Sequence, residues 1–226
     1  MEVIKLSNIK KTYNSNSDPF DALKGVSFTI DKGEFVAIMG PSGSGKSTTM
    51  HIIGCLDTPT SGKYFLSQQD VSKLSDDELA HIRNRQIGFV FQAFNLLPRL
   101  SIYENVILPF SYSNIPLNQQ KKRALDAIEI VGLKDKMKNR PNQLSGGQIQ
   151  RAAIARSLVI EPSLILADEP TGNLDSVTSK DIMDAFENIH KAGNTIILVT
   201  HEEDIAKYAK RVIRLKDGVV LSDTKQ

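Results

Sequence analysis

The sequence predicts an α/β fold whose core is a mostly parallel sheet, and three observations carry that expectation. First, the apolar run Phe35–Met39 leads through a glycine-rich turn into a segment, Lys46–Leu56, with Met50, Ile52, Ile53 and Leu56 near helical spacing. Second, after residue 160 strand-like and helix-like segments alternate: Leu164–Ala167, Ser176–Lys191, Thr195–Val199, then a helix opening at Thr200. Such alternation sets parallel strands side by side, joined by crossover helices. Third, Leu164–Ala167 is apolar at every position, as a strand covered on both faces must be.

The remaining elements follow in chain order. Val3–Ile9 and Val26–Ile30 alternate as strands, so the opening is β-rich. Between them Asn14–Pro19, a cluster of turn formers, reads as an exposed hairpin loop. Asp31-Lys32-Gly33 turns the chain into Phe35–Met39. Ser75-x-x-Glu78 has the form of a capping box and predicts a helix through Leu79 and Ile82 toward Arg85, followed by a short strand, Ile87–Phe91. From Ala93 to about Ile160 helices dominate, and one of them groups Ala124, Ile128 and Val131 on a single face. Thr200-x-x-Glu203 reads as another capping box. Val212–Leu215 and Val219–Leu221, joined by Asp217-Gly218, close as a hairpin with a type I′ turn. The expected organisation is one domain over residues 1–226: a core of about 1–92 and 161–226, with a helical insert of about 93–160.

Composition excludes several classes. With 226 residues, 40% hydrophobic and 24% charged, the chain can bury a core and is too apolar for a disordered one. Lys and Arg number 28 against 26 Asp and Glu, so bulk charge points to no nucleic-acid partner, and none is expected. Apolar runs reach about five residues where a membrane-spanning helix needs roughly 20, so a membrane role requires another chain. Cys55 has no internal disulfide partner and the opening Met-Glu-Val-Ile lacks a leader pattern, which together place the chain in the cytosol. Cys55 itself reads as a small buried apolar group, and Lys134–Arg140 as a solvated face.

Three segments carry chemistry. Gly40-Pro41-Ser42-Gly43-Ser44-Gly45-Lys46-Ser47 fits G-x-x-x-x-G-K-[ST], after a strand and at a helix start. Its glycines let backbone N–H groups converge and the helix start adds a positive dipole end, a cradle for polyphosphate. Lys46 then reaches the β- and γ-phosphates, and Ser47 places a hydroxyl on Mg²⁺. Asp168-Glu169 ends the apolar strand at the edge of the sheet where ligands lie. Asp168 reads as a Mg²⁺ ligand and Glu169 as the group that polarises the attacking water; a plain helix cap is disfavoured because Pro170, Thr171 and Gly172 follow. Leu144-Ser145-Gly146-Gly147-Gln148 precedes a helical run and offers a second anion site at a helix start, while Ser145-x-x-Gln148 also fits a capping box; both uses are compatible.

Leu144–Gln148 matches the signature of the ATP-binding cassette (ABC) ATPases, and on these motifs the chain resembles that family over essentially its whole length. The resemblance implies a P-loop NTPase with a RecA-like, mostly parallel core sheet, an N-terminal antiparallel β subdomain and an inserted α-helical subdomain. It implies that Tyr13 stacks on adenine, that Gly40, Ser42, Gly43, Ser44, Gly45, Lys46, Ser47 and Thr48 hold the phosphates, and that Ser47, Gln92 and Asp168 serve the metal. Glu169, Gln92 and His201 are then the catalytic set, with Gly172–Asp175 as the D-loop. Ser145, Gly146, Gly147 and Gln148 would bind the ATP held by a second ATP-binding subunit, so that two chains clamp two nucleotides. His51, His81 and His190 are read as surface or core residues. Phe94, Leu96, Leu97, Leu100 and Tyr103 are either core or, as the resemblance suggests, part of a groove for a membrane subunit.

Within the family, Leu56–Gly62, Ile87–Gln92 and Asp168–Asp175 are similar to the group of macrolide exporters, lipoprotein-release complexes and antimicrobial-peptide exporters. This implies an ATPase subunit at the cytoplasmic face of the bacterial inner membrane, working with an integral membrane permease that has a large extracytoplasmic domain. Ile149 and Thr49-Met50 depart from the common pattern without touching an assigned phosphate ligand. The soluble family members acting in DNA repair or on ribosomes are the alternative, but their coiled-coil insertions, zinc cysteines or second cassettes have no counterpart here. A small kinase or GTPase is opposed by Leu144–Gln148 and by the lack of a guanine-reading Asn-Lys-x-Asp.

Overall fold

Two sheets share one buried seam. The structure, a computed structural model, describes residues 1–14 and 18–226. Its elements are β1 (Glu2–Tyr13), β2 (Phe20–Asp31), β3 (Phe35–Met39), α1 (Lys46–Ile53), β4 (Ser61–Leu66), β5 (Gln69–Asp70), α2 (Asp76–Gln86), β6 (Ile87–Val90), α3 (Ile102–Ile107), α4 (Leu117–Ile130), α5 (Gly146–Leu158), β7 (Leu164–Asp168), α6 (Ser176–Lys191), β8 (Ile196–Val199), α7 (Glu203–Ala206), β9 (Arg211–Lys216) and β10 (Val219–Lys225). The first sheet runs β2-β1-β4-β5 and is antiparallel; the second runs β10-β9-β3-β8-β7-β6 and is parallel except for the β9–β10 hairpin.

Strand alternation explains how the two layers join. In β3, Val36 and Ile38 face α1 and the antiparallel sheet, while Phe35, Ala37 and Met39 face α3–α6. β7 and β8 divide in the same way, with Leu164, Leu166, Ile197 and Val199 on the first side and Ile165, Ala167, Ile196 and Leu198 on the second. Both faces are covered, which accounts for the unbroken apolar runs. Ala124, Ile128 and Val131 bury their common face as the spacing predicts. Among the described residues no helix is long and apolar enough to cross a membrane.

Several boundaries differ from the sequence expectation. β1 and β2 continue to Tyr13 and from Phe20, past polar residues whose backbones still pair through register shifts. The hairpin loop expected at Asn14–Pro19 falls in part on residues 15–17, outside the described residues. β4 and β5 gave no turn signal, because the residues between them, Ser67 and Gln68, adopt positive φ (47° and 70°) without glycine. α1 stops at Ile53 rather than Leu56: Gly54 caps it and Cys55 turns left-handed at φ 52°. Burial pushes the Cys55 thiol up to about 11, consistent with its reading as an inert apolar group. The helix expected to open at Thr200 is a correction. Thr200 is buried and its N–H extends the sheet to the Ile38 carbonyl (3.2 Å), while its hydroxyl accepts from Glu202 N (3.1 Å); the helix is the single turn Glu203–Ala206, with no capping box.

Candidate active site

The loop between β3 and α1 lies at the carboxyl end of the parallel sheet, where the β7 and β8 ends also emerge. Gly40, Gly43 and Gly45 all have positive φ (156°, 78° and 98°), a sequence of turns that residues with a Cβ adopt only with strain. Space enforces it as well: a Cβ on Gly45 would stand 2.7 Å from Leu23 Cδ2 and 2.9 Å from the Ala22 carbonyl. The loop is held from behind by the C-terminal hairpin, where Gly218 N donates to the Ser44 carbonyl (3.2 Å) and accepts at its own carbonyl from Lys24 N (2.8 Å).

A cavity of about 560 Å³ opens on this loop, lined by Pro41, Ser42, Gly43, Gly45, Lys46, Ser47 and Thr48, by Asp168 and Glu169, and by His201. Lys46 is buried, its ammonium donating to the carbonyls of Gly40 (2.6 Å) and Pro41 (3.0 Å). Asp168 ends β7, paired with Val199. Burial raises its carboxyl above the ordinary range, Glu169 beside it adds to the rise, and His51 and Lys46 partly offset it. Glu169 has φ 41°, rare for a residue with a side chain, and its N–H is fixed by the Val199 carbonyl (2.8 Å). Its carboxylate meets His201 Nδ1 at 2.7 Å. His190 is the structural residue expected, its Nε2 bonded to the Gly33 carbonyl (2.9 Å), and His81 is exposed on α2.

Other expected site residues lie around this centre. Gln92 lies outside the cavity lining; its carbonyl accepts from Asn173 Nδ2 (3.0 Å), and its side chain packs so closely that a Cβ on Gly172 would stand 2.6 Å from Gln92 Nε2. Tyr13 is absent from the cavity lining: its hydroxyl donates to Asp57 (3.0 Å) and Lys11 lies 5.0 Å above its ring. Phe20, its cross-strand partner, lines the cavity with 59% of its surface exposed. Nothing in the run Asp18-Pro19-Phe20-Asp21 marked this aromatic, because it begins a strand beside polar turn residues. Ser145–Gln148 stands apart from the cavity. There the capping box is formed, with Ser145 Oγ accepting from Gln148 N (3.4 Å) and Gln148 Oε1 from Ser145 N (3.1 Å), at an exposed helix start.

ATP and Mg²⁺ fit this arrangement. The Ser44 hydroxyl is buried without a partner among the described residues, the glycine positions leave a concave backbone, and Lys46 holds a positive charge against neutral carbonyls that phosphate oxygens can replace. Among the described residues no group of three or more His, Cys, Asp or Glu could hold a metal alone. A hydroxyl at Ser47 and a carboxylate at Asp168 are the partial oxygen set that suits a Mg²⁺ also held by phosphates.

Comparison with known proteins identifies the family. The ABC transporter family model matches residues 23–172. The uncharacterized ABC transporter ATP-binding protein YknY of Bacillus subtilis (strain 168) is 54% identical over 219 residues, covering 97% of this chain and 95% of that protein. The macrolide export ATP-binding/permease protein MacB of Chlorobaculum tepidum is 55% identical over 224 residues, 99% of this chain but only 34% of MacB. The structure superposes with a TM-score of 0.88 on the dimeric cassette MJ0796 in a post-hydrolysis state bound to ADP and Pi, 46% identical with 98% of each chain covered. The chain belongs to the ABC transporter family, as a subunit that binds ATP with Mg²⁺ and hydrolyses it to drive transport.

Proposed function

We propose that two copies of this chain, or this chain and a second ATP-binding subunit, clamp ATP between them and power a permease with a large extracytoplasmic domain at the cytoplasmic face of a bacterial inner membrane. The observation that carries this reading is the separation of the half-sites: Lys46, Ser47, Asp168, Glu169 and His201 share one cavity, while the helix start at Ser145 stands outside it. A site needing both must be completed by another subunit.

In that clamp the Lys46 ammonium leaves the loop carbonyls for the β- and γ-phosphates, and the glycine-loop N–H groups hold their oxygens. Ser47 and Asp168, with Gln92 nearby, hold the metal, which when bound supplies charge neutralisation on the phosphates. Glu169 orients the attacking water and accepts its proton, and His201, hydrogen-bonded to Glu169, keeps that carboxylate in place and contacts the γ-phosphate. Phe20 provides aromatic surface for the base in the cavity, with Tyr13 as its cross-strand neighbour. An apolar groove of about 750 Å³ lined by Phe89, Phe91, Leu108, Pro109 and Tyr112 lies on the Gln92 side and suits a permease segment. The likeness to MacB, a macrolide export protein that joins ATP-binding and permease, supports export as the task of the permease.

The test is the Glu169→Gln chain. It should bind ATP, lose more than about 99% of turnover as expected for a displaced base, form a stable dimer, and retain a membrane protein with few spans and a large outer domain when purified from detergent-solubilised membranes with Mg-ATP. Normal turnover would remove Glu169 from its role. Recovery of ribosomes or DNA instead of a membrane protein would withdraw the permease.

A further inference from the structure

Gln150 is fully buried on α5, a helix whose start carries Ser145. Its Nε2 donates to the Pro170 carbonyl at 2.7 Å and reaches the Phe91 carbonyl at 3.4 Å. Pro170 directly follows Glu169, and Phe91 directly precedes Gln92. One side-chain amide therefore joins the two backbone segments that carry the water-polarising carboxylate and the metal-side amide. Asn173 adds a tie between the same segments, its Nδ2 donating to the Gln92 carbonyl. The Gln150 Oε1 atom, also buried, has no partner among the described residues. The glutamine carries this orphan acceptor together with an Nε2 that reaches carbonyls on two different segments, which no apolar side chain of similar volume could join.

We propose that Gln150 is a positioning residue for hydrolysis: with Asn173 it sets the spacing of the Glu169 and Gln92 segments and fixes both to the helix that begins at Ser145. This rests on the roles given above to Glu169 and Gln92. Closure of a partner on Ser145 would move α5, and the Gln150 amide carries that displacement to both hydrolytic segments together. Catalytic geometry is steep in distance, so loosening the bracket should slow the chemical step while leaving the phosphate cradle, built on a different loop, unchanged.

The test compares Gln150→Glu, which keeps the shape but removes both N–H donors, with Gln150→Met, which removes the polar group altogether. Each should lower kcat by about tenfold to a hundredfold, with KM and ATP affinity within about twofold of the parent chain and both chains fully folded at the assay temperature, the methionine chain melting somewhat lower because the Pro170 carbonyl loses its donor. A fall in kcat matched by a fall in folded fraction, or a rise in KM with kcat retained, would overturn the proposal. Should both chains fail to fold, Asn173→Ala at its exposed position reads the same bracket: lowered kcat at constant KM supports it, and parental kcat overturns it. Glu169→Gln measured alongside separates the two levels. If that chain still turns over, the site assignment has failed; if it is inactive while the Gln150 and Asn173 chains match the parent, only the bracket has failed.

Discussion

Asp168 sits where its surroundings disfavour the ionised carboxylate. Burial and the neighbouring Glu169 raise its carboxyl, so the stabilising contribution of this group is present below the ordinary carboxylate range and lost as pH rises through the raised value. At neutral pH the ionised side chain therefore weakens the nucleotide-free fold. Asp168→Asn should raise Tm by a few degrees at pH 7.5, lose that gain toward acid pH, and abolish Mg²⁺-dependent turnover; an unchanged Tm would mean that the carboxylate is better solvated than its position implies. At the base end the prediction concerns Phe20. Tyr13 is engaged by Asp57 and Lys11, whereas the exposed Phe20 ring lines the cavity. Stacking on an aromatic contributes about 1–3 kcal/mol, so Phe20→Ala should weaken ATP about tenfold while inorganic triphosphate binds as before. Equal loss for both ligands would show that the cradle, and not the base, was disturbed.

At the scale of elements, α5 holds more than its own length of chain. Arg156 donates to the carbonyls of Phe94 (3.1 Å) and Asn95 (2.5 Å), two successive residues with φ of 60° and 51°. Burial lowers the Arg156 pKa, and removing the side chain would leave both carbonyls without these bonds in an unfavourable backbone. Arg156→Met should lower stability by about 1–3 kcal/mol in denaturant titrations, with the 93–101 segment losing hydrogen-exchange protection first; uniform loss across the chain would refute a local hold. Much at this scale was legible in the sequence. The glycine loop, the Ser75 and Ser145 capping boxes, α6 and the terminal hairpin are local patterns that local chemistry decides, and the structure contains them all. What stayed hidden depends on partners distant in sequence. Phe20 belongs to the cavity because β2 passes behind Gly45, and Gln150 meets two loops that lie about 60 and 20 residues away. Thr200 misled because its cap-forming spacing competes with a sheet bond that only the β3 neighbour supplies.

For the whole molecule, two incomplete half-sites make a rule of complementation. A Lys46→Ala chain retains a good Ser145 surface, and a Ser145→Arg chain retains a good cradle. Mixed in equal amounts, they should form heterodimers with one intact composite site, so ATPase activity should exceed that of either chain alone by about tenfold or more, given how completely each single loss removes phosphate stabilisation. Activity no greater than the sum of the separate chains would exclude a shared site. Recovery of activity would make the exposed start of α5 and the Lys46 cavity surfaces of one assembly rather than alternative sites within a monomer.

The bond between Gly218 and Ser44 sets an order in time. The phosphate loop is synthesised early, yet one of the bonds that holds its shape comes from a turn more than 170 residues later. Until that turn has left the ribosome, the loop lacks its backing and Lys46 has no finished cradle to occupy. Nucleotide bound at the loop therefore favours the docked hairpin, because both act on the same stretch of backbone.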